Sequence, residues 1–318
     1  MPRPAFYFPL VSLTRRLLLR ASRSAWLART LRRRAFFRRA VRRFLPGEHV
    51  GAALDTAAAL ARDGIGSVLT QLGEQVTNRA EAAAVRDQYL RLFDEIRSRD
   101  LPAEISVKLT HLGLDVNPKA CLQDLLALAA RAAAAKSFLW IDMEESRYVD
   151  ATLELYRAVR AARPDVGVCL QAYLRRTPAD LEGLLPLAPA IRVVKGAYNE
   201  PPDVAFPKKR DVDAAYAVLA GRLLERAAAG AARVVLGTHD LDLIERLQAR
   251  ALALGVTGGG YEVHMLYGIR AAAQQALAQQ GVAVRVLISY GTHWFPWYMR
   301  RLAERPANVW FVMRHLLG

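Results

Sequence analysis

The sequence predicts an α/β protein built as an eight-stranded parallel barrel, and three observations carry that expectation. Short runs rich in Val, Ile and Leu alternate with longer stretches rich in Ala, Leu, Arg and Glu, the pattern of parallel strands joined by helices. Eight such units fit into the roughly 270 residues after Gly47, as a (β/α)8 barrel requires. Several runs also carry polar residues on one face, near their C-terminal ends, as a barrel with chemistry at one mouth demands. The competing architecture is an open, doubly wound sheet. No Gly-x-Gly-x-x-Gly follows the first run, and the glycines at 258–260 lack that spacing.

In chain order the predicted strands cover 67–70, 105–109, 138–142, 167–172, 191–195, 233–237, 261–265 and 284–289. Helix formers fill 82–97, 122–135, 151–162, 211–229 and 241–253. Side chains alternate faces along a strand. The second strand therefore sets Ile105, Val107 and Leu109 against Ser106, Lys108 and Thr110. The third turns Leu139 and Ile141 outward and Asp142 the other way. Gln171 opposes Leu170, Arg192 opposes Ile191 and Val193, and Leu287 shares the lumen face with Arg285 and Ser289.

The chain has 318 residues, 53% of them hydrophobic and 24% charged, enough for a packed core and too apolar for a disordered chain. Two cysteines, Cys121 and Cys169, make no disulfide framework and point to a reducing, cytoplasmic setting. No apolar run reaches the ~20 residues that cross a bilayer. The net charge of +15 is not spread evenly. Residues 1–50 hold 13 arginines against one acid, Glu48, while the rest carries 32 basic against 29 acidic residues. Residues 1–46 thus read as a basic helical arm and 47–318 as the barrel domain, the break falling at Pro46-Gly47. In the arm, Phe37, Val41 and Phe44 recur at helical spacing among Arg38, Arg39, Arg42 and Arg43. Such a helix either packs on the barrel or lies on an anionic membrane surface at its inner face. Nucleic-acid binding rests on charge alone and is not expected. The arm is acid-poor like an organelle transit peptide, whereas its apolar stretch at 17–19 is too short for a signal peptide.

The chemistry-bearing candidates cluster at predicted strand ends. Lys108 lies in a run otherwise fit for burial, where a cation needs a partner or a task; Asp142 is the natural partner, as an ion pair or as a substrate-ordering pair. Arg192 and Lys195 place two cations at the end of the fifth strand, and Gly196 allows close backbone approach by a ligand. Arg300 and Arg301 follow the eighth strand. With Glu304 they read as a salt-bridged helix surface or as a carboxylate clamp. His239 and His264 stand singly, and the six histidines show no metal-ligand spacing, so no metal is expected.

Seven segments resemble proline dehydrogenases: Ser106-Val-Lys-Leu-Thr-His-Leu-Gly-Leu-Asp115, Ile141-Asp-Met-Glu-Glu145, Gln171-Ala-Tyr-Leu-Arg-Arg-Thr177, Arg192-Val-Val-Lys-Gly-Ala-Tyr198, Thr238-His-Asp240, Met265-Leu-Tyr-Gly268 and Tyr298-Met-Arg-Arg-Leu-Ala-Glu-Arg-Pro306. Each is weak alone; their joint order, from about residue 65 to 312, is specific. The short chain is similar to the monofunctional bacterial members. The resemblance implies a distorted, TIM-like (β/α)8 barrel with non-covalent FAD. It implies oxidation of L-proline to Δ1-pyrroline-5-carboxylate, the first step of proline catabolism, with hydride passing from C5 to flavin N5 and electrons then to a quinone. It assigns Arg300 and Arg301 to the substrate carboxylate with Lys108 assisting, and Asp142 to orienting Lys108 or the substrate amine. Arg192 would stabilise charge near flavin N5 and Gln171 would bond the ring edge. Val194, Lys195, Gly196, Ala197, Thr238 and His239 would complete the cofactor site. Leu266 and Tyr198 would wall the substrate, and Glu74 would pair with Arg300 as a gate, with Glu304 on the gate helix.

One departure stands out. Four residues before Gly291 the family commonly has tyrosine, and this chain has Leu287. An apolar wall there suits an unsubstituted proline ring and gives a hydroxylated ring no partner; the alternative is that Tyr290 swings in. Three other functions compete: a hydroxyproline or other cyclic imino-acid dehydrogenase, a Schiff-base barrel lyase using Lys108 or Lys195, and a non-catalytic binder built on the arm.

Overall fold

A computed structural model of the chain describes residues 41–295 and residue 298. Eight parallel strands close into a barrel in sequence order: β1 Gly66–Gln71, β2 Ala103–Val107, β3 Leu139–Ile141, β4 Val166–Gln171, β5 Ala190–Val194, β6 Arg233–Gly237, β7 Glu262–Leu266 and β8 Ala283–Tyr290. The closing seam pairs β1 with β8 from Gly66↔Arg285 to Gln71↔Tyr290, which excludes the open sheet. Around it run α1 Val50–Arg62, α2 Arg79–Ser98, α3 Pro118–Ala134, α4 Val149–Ala162, α5 Thr177–Glu182, α6 Lys209–Ala228, α7 Leu241–Ala253 and α8 Ala271–Gln279.

Local sequence signals explain where several helices start. Asn78 caps α2 by accepting from the Glu81 amide at 2.9 Å, and Glu81 in turn accepts from the Thr77 amide. Asn117 caps α3, whose first residue is Pro118, and Asp240 caps α7.

The strands divide their side chains as parity requires. Ile105, Val107, Leu139, Ile141, Val168, Leu170, Ile191, Val193, Val286 and Ile288 face the helices and belong to one continuous core. The lumen is filled in layers. At its N-terminal end Glu104 and Glu262 meet Arg233 and Arg285. Arg233 donates to Glu104 and Glu262 at 2.6 Å each, and Arg285 donates to Glu262 at 2.9 Å. Burial opposes ionisation of Glu262, yet hydrogen bonds from His264 and Arg233 hold its carboxyl well below the usual range. Above this ring sits an apolar plug of Val68, Trp140, Ala190 and Val235. Trp140 is fully buried and donates its indole N–H to Glu104 at 2.6 Å. Its bulk is matched by Gly167, where any Cβ would stand 2.5 Å from the indole. The plug is the floor of whatever opens at the C-terminal mouth.

Residues 41–48 pack on that mouth. Val41 and Leu45 are buried, Phe44 lies 6.1 Å from the Tyr298 ring, and Glu48 accepts from the Trp294 indole at 2.7 Å. The Arg43 carbonyl rests against Gly268 so closely that no side chain fits there. The rest of the predicted arm lies outside the described residues. Among the described residues no helix is long and apolar enough to cross a membrane.

Candidate active site

The short third strand ends at Ile141, so Asp142 begins the loop above it; Lys108 and Lys195 likewise stand one residue past β2 and β5. This corrects the expectation that both lysines lie inside strands. The parallel ladder stops one residue earlier on these strands, while backbone direction still aims the side chains over the lumen. The Asp142 amide remains tied to Val107 O at 2.9 Å.

Asp142 is the hub of the mouth. One carboxylate oxygen accepts from the Ser106 hydroxyl at 2.7 Å and from the Arg192 guanidinium; the other lies 3.7 Å from Lys108 Nζ. Arg192 also donates to Ser106 Oγ at 2.8 Å and lies over the Trp140 ring, 5.1 Å from its centroid. The predicted Lys108–Asp142 pair is therefore half of a triad whose closer cation is Arg192. Arg192 is 3% exposed, and its Nη1 has no hydrogen-bond partner among the described residues. A buried guanidinium nitrogen without a partner is costly unless a ligand completes it. Gln171 repeats the pattern: its Nε2 donates to Met143 O at 3.1 Å, while its buried Oε1 has no partner among the described residues.

A second ionic group rims the opposite side. Lys195 Nζ lies 2.6 Å from Asp213 and 2.7 Å from Asp240, and Lys209 reaches both carboxylates. The hydrogen bond from Lys195 is the main reason the Asp240 carboxyl sits below its ordinary range. His239 accepts from the Leu266 amide through Nε2 at 2.9 Å, which puts its ring proton on Nδ1.

Lys108, Asp142, Gln171, Arg192, Lys195, Lys209, His239 and Asp240 line one cavity of about 620 Å³, a usual size for a small-molecule site. Every candidate that falls among the described residues borders it: Glu74, Lys108, Asp142, Gln171, Arg192, Val194, Lys195, Gly196, Ala197, Tyr198, Thr238, His239, Leu266 and Leu287. Arg300, Arg301 and Glu304, and with them the Arg300–Glu74 gate, lie outside the described residues. The cavity has two sides. The ends of β4, β5 and β6 bring Gln171, Arg192, Val194 and Thr238, whereas β8, β1, β2 and β3 bring Leu287, Thr70, Lys108 and Asp142. Lys108, Arg192, Lys195, Lys209 and Arg270 outnumber the carboxylates Glu74, Asp142 and Asp240, so the mouth favours an anionic ligand.

Two expectations change. Gly196 has φ +118°, but the space its side chain would take is filled by the Tyr173 ring, 2.2 Å from an ideal Cβ. Packing against Tyr173, not ligand approach, is what demands glycine there. Tyr290 does not swing in: it is fully buried in the outer core, because strand parity sends it toward the helices. Leu287 stands on the cavity wall without it.

Sequence reasoning missed Ser106 as a partner of Asp142, and it missed Lys209, Asp213 and Arg270. Ser106 was visible as a polar residue on the lumen face. The other three come from loops and helix starts whose approach to the mouth has no periodic signature.

Comparison with known proteins identifies the family. The family model described as proline dehydrogenase matches residues 53–314. Proline dehydrogenase 1 of Bacillus subtilis subsp. natto is 35% identical over 276 residues, covering 87% of this chain and 90% of that protein. The proline dehydrogenase of Deinococcus radiodurans is 36% identical over 282 residues, covering 86% and 89%. Among solved structures, proline utilization A from Bdellovibrio bacteriovorus, inactivated by N-propargylglycine, aligns with a TM-score of 0.79 at 21% identity. That alignment covers 92% of this chain and 36% of the longer one, and it shows a shared fold. With a family model spanning most of the barrel and relatives matched over nearly their whole length, this chain belongs to the proline dehydrogenase family.

Proposed function

We propose that this chain oxidises L-proline to Δ1-pyrroline-5-carboxylate with FAD bound in the barrel mouth. The observation that carries the reading is the Lys108–Asp142–Arg192 triad beside a cationic cavity, in a chain of this family. The residues present fit the cofactor. Arg192 Nη1 and Gln171 Oε1 are a buried donor and a buried acceptor with no partner among the described residues. The excess of cations suits a diphosphate and a substrate carboxylate together. Gln171, Arg192, the backbone of Val194, Lys195, Gly196 and Ala197, and the side chains of Thr238 and His239 hold the FAD. When bound, FAD supplies the two-electron acceptor for the hydride that leaves substrate C5.

The protein's own part is positioning and charge. Lys108, with Arg300 and Arg301, binds the substrate carboxylate. Asp142 fixes Arg192 and Lys108 relative to one another, so the two cations cannot drift or pair elsewhere. Arg192 stabilises negative charge that builds on its side of the cavity. Leu266, Tyr198 and Leu287 wall the ring and keep water out. Glu74, with Arg300 and Glu304, is assigned to the gate. The Schiff-base alternative is disfavoured because Lys195 is held between two carboxylates and Lys108 faces Asp142.

A quinone would take up the electrons from the bound FAD. The basic arm, residues 1–46, holds the 47–318 barrel domain at the inner, anionic face of a membrane. Flotation of full-length protein with anionic liposomes, against a chain starting at Gly47, tests the arm: equal binding refutes it. The decisive experiment for the reaction is an anaerobic absorbance spectrum of the purified protein. Flavin bands that bleach on adding L-proline support the reading, and a colourless protein, or bands that persist, would sink it.

A further inference from the structure

Outside the cavity, a second carboxylate copies the pattern of Asp142. Two residues on, Glu144 is 4% exposed and accepts from Thr110 twice, from the amide at 3.0 Å and from the hydroxyl at 2.6 Å. A buried carboxylate is expensive unless hydrogen-bonded. Burial pushes the Glu144 carboxyl up, and the two Thr110 bonds oppose that push. Neither residue lines the cavity.

Thr110 passes the restraint on. Its hydroxyl oxygen accepts from the Gln75 amide at 3.3 Å, and its carbonyl accepts from the Val76 amide at 3.2 Å. Gln75 sits at φ 54°, a left-handed conformation that a non-glycine residue keeps only when held. His111 completes the grip: its imidazole fills the space beside Gly73, 2.1 Å from where a Cβ would stand. Residues 73, 75 and 76, which flank Glu74, thus all rest on residues 110 and 111. The same turn begins at Lys108, whose carbonyl accepts from the His111 amide at 3.2 Å and the Leu112 amide at 3.1 Å.

We propose that Glu144 is a positioning residue that, through Thr110, locks the Glu74 loop to the turn carrying Lys108, so that the gate and the substrate cation move as one body. This rests on the reading that Lys108 and Glu74 face the substrate.

The test is Thr110→Val, Thr110→Ser and Glu144→Gln in the full chain with its cofactor. Hydrogen exchange of the segment 72–78 is measured without substrate, and kcat and KM for L-proline are measured separately. Thr110→Val is expected to speed exchange there about tenfold and to raise KM about tenfold, with kcat within twofold and flavin absorbance retained. Thr110→Ser, which keeps the hydroxyl, is expected to restore both. Wild-type exchange and KM in a folded Thr110→Val protein would overturn the proposal, as would a loss confined to kcat. If Thr110→Val does not fold, Glu144→Gln decides: faster exchange with raised KM supports the lock, and unchanged values refute it. A wild-type protein that ignores L-proline would defeat the functional reading instead, while the exchange result would still judge the lock.

Discussion

At the N-terminal end of the barrel Glu104, Arg233, Glu262 and Arg285 satisfy one another, whereas at the C-terminal end Arg192 and Gln171 each keep a buried polar atom with no partner among the described residues. Both ends place charged side chains in a narrow lumen, and Trp140 separates them, bonded to Glu104 below and stacked under Arg192 above. The lower ring has two acids for two bases, each held by an opposite charge. The upper end has surplus cations and an opening. Buried charge with matched partners is structure; buried charge left incomplete is a site waiting for a ligand.

Breaking the lower ring is expected to cost most in stability. Arg233→Met leaves Glu104 and Glu262 to share Arg285, and about 3–5 kcal/mol should be lost in urea unfolding. A loss below about 1 kcal/mol would mean the ring is hydrated and not a closed set. Arg192→Met at the upper end should invert the profile. Asp142 keeps Ser106 and Lys108, so stability falls only about 1–2 kcal/mol, while turnover drops about 10²–10³-fold. Equal turnover would remove Arg192 from the chemistry.

Acid acts on the upper end through His111. Burial, then the charges of Lys108 and His293, push the His111 imidazole down to about 4, with Glu74 acting the other way. In the unfolded chain that histidine titrates near 6.5. Between these values the unfolded state binds a proton that the folded state refuses. Stability is therefore full above about pH 6.5, falls as pH drops, and levels off below about pH 4. The drop from this group is about 3 kcal/mol. Comparing wild type with His111→Asn across pH 4–7 isolates it; superimposable curves would show that His111 is solvated. The smallest effect concerns the wall. Leu287→Tyr should change KM for L-proline by less than about tenfold, and steady-state rates on proline and trans-4-hydroxyproline give the ratio. A wild-type preference for the hydroxylated ring would contradict the apolar reading of Leu287.

The barrel was legible because strand and helix periods differ and parity sorts the lumen. Ser106, Asp142, Arg192 and Leu287 fall on the inner face by counting alone. The site's residue types were legible from their ordered segments, which carry the resemblance. What counting did not reveal is the sharing of Asp142. Lys108 looked like its partner because β2 and β3 are neighbours, yet Arg192 reaches across the lumen to it from β5. Distances across a closed cylinder leave no trace in local pattern. Lys209 and Asp213 at the start of α6 were invisible for the same reason, since a helix start approaches the mouth only through the loop before it.

Backbone periodicity and the cost of burying polar groups therefore set the strand–helix alternation, the inner and outer faces and the stock of charged side chains at strand ends, and all of these can be read along the chain. Which charges neutralise each other and which stay incomplete follows from barrel closure alone. Closure brings residues 50 to 129 positions apart within hydrogen-bond reach, and the energy of a buried charge depends on the partners it touches, not on neighbours along the chain.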